Sequence, residues 1–132
     1  CHGGPMLNET NQFFAAPLPL GTRYFTAFVS ELNTANNPVR TFIVQNADGT
    51  TTTFSSPDPG RALITGDPRD KNRFRIPTLW GAAKTGPWFH DNSAKTLAEV
   101  AGHYSDFFQV ALGRPLTAQD QEDIVAYMNL LR

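Results

Sequence analysis

The sequence has 132 residues, with 11 Lys plus Arg against 12 Asp plus Glu and a net charge of −1. That length allows one domain with a single core, and the near-neutral balance gives no electrostatic reason to bind nucleic acid or an anionic membrane. One cysteine excludes an internal disulfide, and no run is long and apolar enough to insert into a bilayer.

Gly and Pro contribute 10 residues each while only 17% of the chain is charged, so much of it should be turn and loop. A loop-rich domain without disulfides needs another staple, and a large bound cofactor would supply one. Residues 1–19 are rich in Gly, Pro and Asn and read as an irregular segment laid over an apolar surface. In residues 24–32, Phe25, Phe28, Val29 and Leu32 follow helical spacing and predict a short helix. Residues 39–44 and 50–54 are rich in β-formers and flank a stretch containing Asp48-Gly49, a hairpin signal. A β-hairpin insertion over residues 38–56 follows. Prolines and glycines on both sides of residues 61–65 then rule out one long helix there.

The last third predicts two helices. Thr96 and Glu99 form a capping box, and Leu97, Val100, Ala101, Tyr104 and Phe108 fall on one stripe of a helix running to about Phe108. Gly113, Arg114 and Pro115 make the turn. Thr117 caps a second helix, with Asp120, Glu122 and Asp123 near its positive end and Ile124, Tyr127, Met128 and Leu131 on its apolar face.

Chemistry begins at the first two residues. Cys1-His2 is the closing half of a C-x-x-C-H haem-attachment motif, in which thiols bond the porphyrin and the following imidazole ligates iron. The other cysteine would lie upstream of residue 1, so the chain reads as the back part of something longer. Alone, a Cys-His dipeptide arises often by chance.

The run of residues 75–99, with Arg75-Ile-Pro-Thr-Leu-Trp80 and Trp88-Phe-His-Asp91 at its heart, resembles the C-terminal haem domain of bacterial di-haem cytochrome c peroxidases and their MauG-type relatives. Asp58-Pro-Gly-Arg61, Thr65-Gly-Asp67, Phe74, His103-Tyr104 and the last helix extend the match. The resemblance implies a mainly α, loop-rich fold: a class I cytochrome c-like helical domain around a haem, one domain over residues 1–132, carrying the hairpin as a small insertion. It implies haem c bound through the Cys1 thioether, with His2 as proximal iron ligand. The distal ligand would come from the helix after Phe-His-Asp, where peroxidases place methionine and MauG-type proteins tyrosine. Here that position is Tyr104, with His103 as second candidate. An anionic phenolate stabilises ferric and higher-valent iron, whereas a thioether favours ferrous iron. Successive helical residues lie about 100° apart, so His103 and Tyr104 cannot address one iron equally well.

The resemblance also places His90 near the haem edge as a propionate donor; Arg61, Arg73 and Arg75 are candidate propionate partners, with ordinary solvated charge as the plainer reading. Trp80 stands where the family usually has arginine, and Trp88 joins it as an oxidisable or packing indole. Thr85-Gly86-Pro87 resembles the carbonyl stretch that holds calcium between domains, making Thr85 and Pro87 candidate calcium ligands. The implied partners are an N-terminal haem domain and a redox partner protein, and the implied location is the periplasm. Peroxide cleavage belongs to the other domain, so no catalytic residue is expected here and the chain should transfer or store electrons.

Plainer readings stand beside these. Tyr104 on an apolar stripe is commonly a core tyrosine, His90 can be a loop-fixing histidine held by Asp91, and Met6 and Met128 fit structural roles. Two other classes compete: a non-haem binding or interaction module that kept the scaffold after losing cofactor attachment, and a hydrolase using Cys1 as an N-terminal nucleophile. The short chain and its lack of a strand-dominated pattern speak against the hydrolase.

Overall fold

A computed structural model describes residues 2–10, 24–25, 32 and 36–131. Cys1 and most of the helix predicted over residues 24–32 lie outside the described residues. The chain divides into two compact units, Cys1–Tyr24 with Ile76–Arg132, and Phe25–Arg75.

In the Phe25–Arg75 unit, β1 (Arg40–Gln45) and β2 (Thr51–Ser56) pair antiparallel, with Phe42 opposite Phe54. Those two rings stack at 5.6 Å, the kind of cross-strand aromatic pair that fixes register. The predicted turn forms at Asp48-Gly49, where Gly49 takes φ 84° and Asp48 Oδ1 accepts from the Thr50 N–H at 3.0 Å. A left-handed φ suits a residue without Cβ. The Pro- and Gly-bounded stretch after β2 forms only a four-residue helix, α1 (Ala62–Thr65), and a 3-10 turn over Pro68–Asp70.

Asp70 organises this unit. Its carboxylate is buried and accepts from Thr65 Oγ1 at 2.9 Å and from Arg73 Nη1 at 3.4 Å, while Arg61 Nε lies 3.5 Å away. The Arg61 guanidinium also sits 4.2 Å from the centre of the Phe25 ring, a cation–π distance. Arg61 and Arg73 are thus both engaged with Asp70.

The other unit is built on two helices. In α2 (Leu97–Leu112) the capping box forms as the sequence predicts: Thr96 Oγ1 accepts from the Glu99 N–H at 3.2 Å, and Glu99 Oε2 accepts from the Thr96 N–H at 2.9 Å. The helix runs a turn beyond Phe108 because the first glycine after that residue, Gly113 with φ 73°, supplies the left-handed cap only there. In α3 (Ala118–Leu130), Thr117 makes the same reciprocal cap with Asp120. Ala82, Ala94, Leu97, Val100 and Met128 form the core, with Leu79, Trp88, Phe89, Tyr104, Ile124 and Val125 packed against it. Tyr127, expected on the apolar face, is 50% exposed: Met128 and Leu131 fill the seam, and a residue adjacent to Met128 on a helix points elsewhere.

Among the described residues the architecture is therefore a loop-rich mixture of three α-helices and a two-stranded hairpin, consistent with a small helical domain. No described helix is long and apolar enough to cross a membrane.

Candidate functional site

His2 is the most defined of the candidate residues. The loop after it closes on itself through Gly3 N–H to Glu9 O at 2.7 Å and Leu7 N–H to Gly4 O at 3.0 Å. Leu7 takes φ 50°, a strained conformation for a bulky side chain. The effect is to aim the Leu7 carbonyl at His2 Nδ1, 2.9 Å away. A carbonyl can only accept, so the ring nitrogen donates to Leu7 O, and the Pro77 carbonyl is a second backbone partner of the ring. Burial is the main cause holding the His2 imidazole below its ordinary pKa, opposed by its hydrogen bonds to the Leu7 and Pro77 carbonyls. A neutral imidazole, oriented through its other nitrogen by a backbone carbonyl, is the form in which histidine binds metals.

The strap at residues 77–82 holds this loop. Thr78 Oγ1 donates to Met6 O at 2.6 Å and Trp80 Nε1 donates to Pro5 O at 3.0 Å. On its other side the same strap supplies Leu79 and Ala82 to the helical core, and Gly81 N–H bonds Leu131 O at 2.9 Å. Met6 and Trp80 remain 54% and 49% exposed, so apolar surface lies open on the loop and strap that hold the imidazole.

The second group of candidates sits where the Trp-Phe-His-Asp turn meets α2. Trp88 N–H bonds Ala94 O at 2.9 Å and Asn92 N–H bonds Phe89 O at 3.2 Å, closing the turn. The Trp88 indole donates to Ala82 O at 2.9 Å, which makes it a structural tie as well as packing. Phe89 has φ 66°, again uncommon for a bulky residue. Its ring lies 4.5 Å from that of His103 and 6.4 Å from that of Tyr104, and the latter two meet edge-on at 5.6 Å. Burial alone pushes the Tyr104 phenol up. Such a phenol stays protonated unless a cation lies against it, and a metal ion is one that would ionise it.

His90 stands exposed on the tip of the turn, and the Asp91 carboxylate accepts from the Ser93 N–H at 3.0 Å. Thr85 and Pro87 are exposed, with the Thr85 hydroxyl donating to Ala82 O at 3.4 Å. Arg75 belongs to the other unit and bridges Phe25 there. Among the described residues no three His, Cys, Asp or Glu side chains converge as a metal cluster. Sequence reading missed Leu7, Pro77 and Phe89, which act through a carbonyl or a strained backbone. Neither leaves a mark on residue type or spacing.

A haem fits the donor chemistry present: a neutral, buried imidazole with its Nδ1 fixed by Leu7 O, a buried phenol, and exposed apolar side chains around the imidazole loop.

Comparison with known proteins points the same way. The chain is 33% identical over 76 residues to the cytochrome c551 peroxidase of Nitrosomonas europaea, covering 58% of this chain and 22% of that protein. It is 34% identical over 78 residues to the cytochrome c peroxidase Ccp of Escherichia coli, covering 59% and 16%. It is 28% identical over 144 aligned residues to the cytochrome-c peroxidase IdrP1 of Denitromonas iodatirespirans, covering 99% and 35%. No family model and no solved structure matches. The chain is thus similar to cytochrome c peroxidases at low identity, and it spans about a third or less of the length of these relatives.

Proposed function

We propose that this chain is the haem c electron-transfer domain of a di-haem cytochrome c peroxidase-like or MauG-like oxidoreductase. The observation that carries the reading is the His2 imidazole, buried and held by backbone carbonyls with its Nδ1 2.9 Å from Leu7 O, the kind of carbonyl anchor that metal-ligating histidines have. Similarity to proteins named cytochrome c peroxidase supports it.

In this reading Cys1 forms the thioether and His2 is the proximal ligand. The Leu7 carbonyl fixes the imidazole tautomer and raises its basicity as a donor. Tyr104 is the distal ligand, with His103 beside it. Met6 and Trp80 offer apolar cover. A bound haem c supplies a one-electron couple between ferric and ferrous iron, and an oxygen ligand from Tyr104 biases it to the ferric side. The whole protein would be periplasmic, would carry peroxide cleavage on an N-terminal haem domain, and would draw electrons from a redox partner protein. Carbonyl and hydroxyl oxygens of Thr85 and Pro87 would contribute to a calcium site completed by that domain.

The test is the visible spectrum of the purified chain, oxidised, reduced and as a pyridine haemochrome, with intact mass alongside. A c-type haemochrome with haem mass retained, and its loss in His2→Ala, is the expected result. The band position reports one thioether or two. A colourless chain at apo mass would overturn the reading in favour of a non-haem module on the same scaffold.

A further inference from the structure

Two adjacent side chains on α2, His103 and Tyr104, are both able to bind iron, and they diverge by about 100° around the helix. Whichever is presented depends on what covers the other. Phe89 is placed to decide. Its ring is closer to His103 than to Tyr104, at 4.5 Å against 6.4 Å, and the His103 Nε2 atom is buried. Nor can Phe89 easily move: its φ is 66°, its carbonyl accepts from Asn92, and the bond from Trp88 N–H to Ala94 O clamps the turn that carries it. A strained backbone held by its surroundings is a typical device for setting side chains at a site.

We propose that Phe89 is a positioning residue that selects the iron ligand, holding the His103 ring against its own so that Tyr104, also partly buried but without so close a ring contact, is the side chain left to meet iron. The proposal rests on the haem reading above. It concerns the choice between two ligands, which that reading leaves to the local packing.

The experiment compares ferric visible and electron paramagnetic resonance spectra of the haem-loaded chain as wild type, Phe89→Tyr, Phe89→Leu, Phe89→Leu/His103→Ala and Tyr104→Phe. Wild type and Phe89→Tyr, which keeps the ring, should show a phenolate-to-iron charge-transfer band. Phe89→Leu should lose that band and gain a low-spin bis-imidazole signal, and the double variant should recover the phenolate spectrum. Tyr104→Phe, with Phe89 intact, should be high-spin rather than bis-imidazole; this arm stands even if the Phe89 variants fail to fold. A merely structural role would lower stability in Phe89→Leu and leave the ligand unchanged. An unchanged phenolate spectrum in folded Phe89→Leu, or a bis-imidazole spectrum in Tyr104→Phe, overturns the proposal alone. A wild-type chain without haem overturns the reading beneath it and the proposal together.

Discussion

Different forces hold each of the chain's two units in its own fold. Phe25–Arg75 centres on a buried carboxylate, Asp70, facing Arg61 and Arg73, with Phe54 and Ala62 as its buried apolar side chains among the described residues. The unit with α2 and α3 is held by a layer of apolar side chains from Ala82 to Met128, its polar groups serving as caps at helix ends. Apart from the propionate candidates Arg61, Arg73 and Arg75, every described candidate haem residue lies in the apolar unit. The difference is instructive, because burying a large apolar cofactor extends a hydrophobic core, whereas an ion-pair network supplies geometry with a small net free energy.

That contrast can be broken from either side. The largest effect is expected in the apolar unit: Met128→Ala, removing a buried side chain from the helix seam, should destabilise by about 3 kcal/mol in urea denaturation. A loss under about 1 kcal/mol would show that the seam is not the core. Next comes Asp70→Ala, which takes away the carboxylate that two half-buried guanidiniums face. Its cost should be about 2 kcal/mol, with partial exposure of both arginines limiting the penalty. Because buried pairs are screened little, the loss should persist in 1 M salt, and its disappearance there would reassign the pair to the surface.

Smaller effects sharpen the same comparison. Thr117→Ala removes the hydroxyl that caps α3 and should cost about 1 kcal/mol, read as a lower urea midpoint, with Thr117→Ser restoring it. The smallest is electrostatic and exposed. Hydrogen bonds from Arg69, side chain first and then backbone, hold the Asp67 carboxyl at about 2, below its ordinary value of 3.8. A depressed carboxyl stabilises the folded chain fully above pH 3.8 and loses that contribution as pH falls through about 2. Thermal melts of Asp67→Asn against wild type should therefore differ slightly at pH 5, converge toward pH 2, and differ less at pH 5 in 1 M salt. Curves that stay apart at pH 2 would mean that the carboxylate is not what distinguishes them.

Local physics made much of the fold readable from the chain. Thr96 with Glu99 and Thr117 with Asp120 specify helix starts, Asp48-Gly49 specifies the hairpin turn, and the prolines around residues 57–68 forbid a long helix, because each acts through a few neighbouring backbone groups. Cys1-His2 and the Trp88-Phe-His-Asp91 run carried the functional reading in the same way, as short patterns of residue type. Tertiary structure alone decided the rest. It set the Leu7 carbonyl against His2 Nδ1, tied Trp80 to Pro5 across more than seventy residues, turned Arg61 and Arg73 toward Asp70, and laid Phe89 against His103. Those contacts depend on carbonyl direction, left-handed backbone and ring packing, and none of these is encoded by the spacing of residues along the chain.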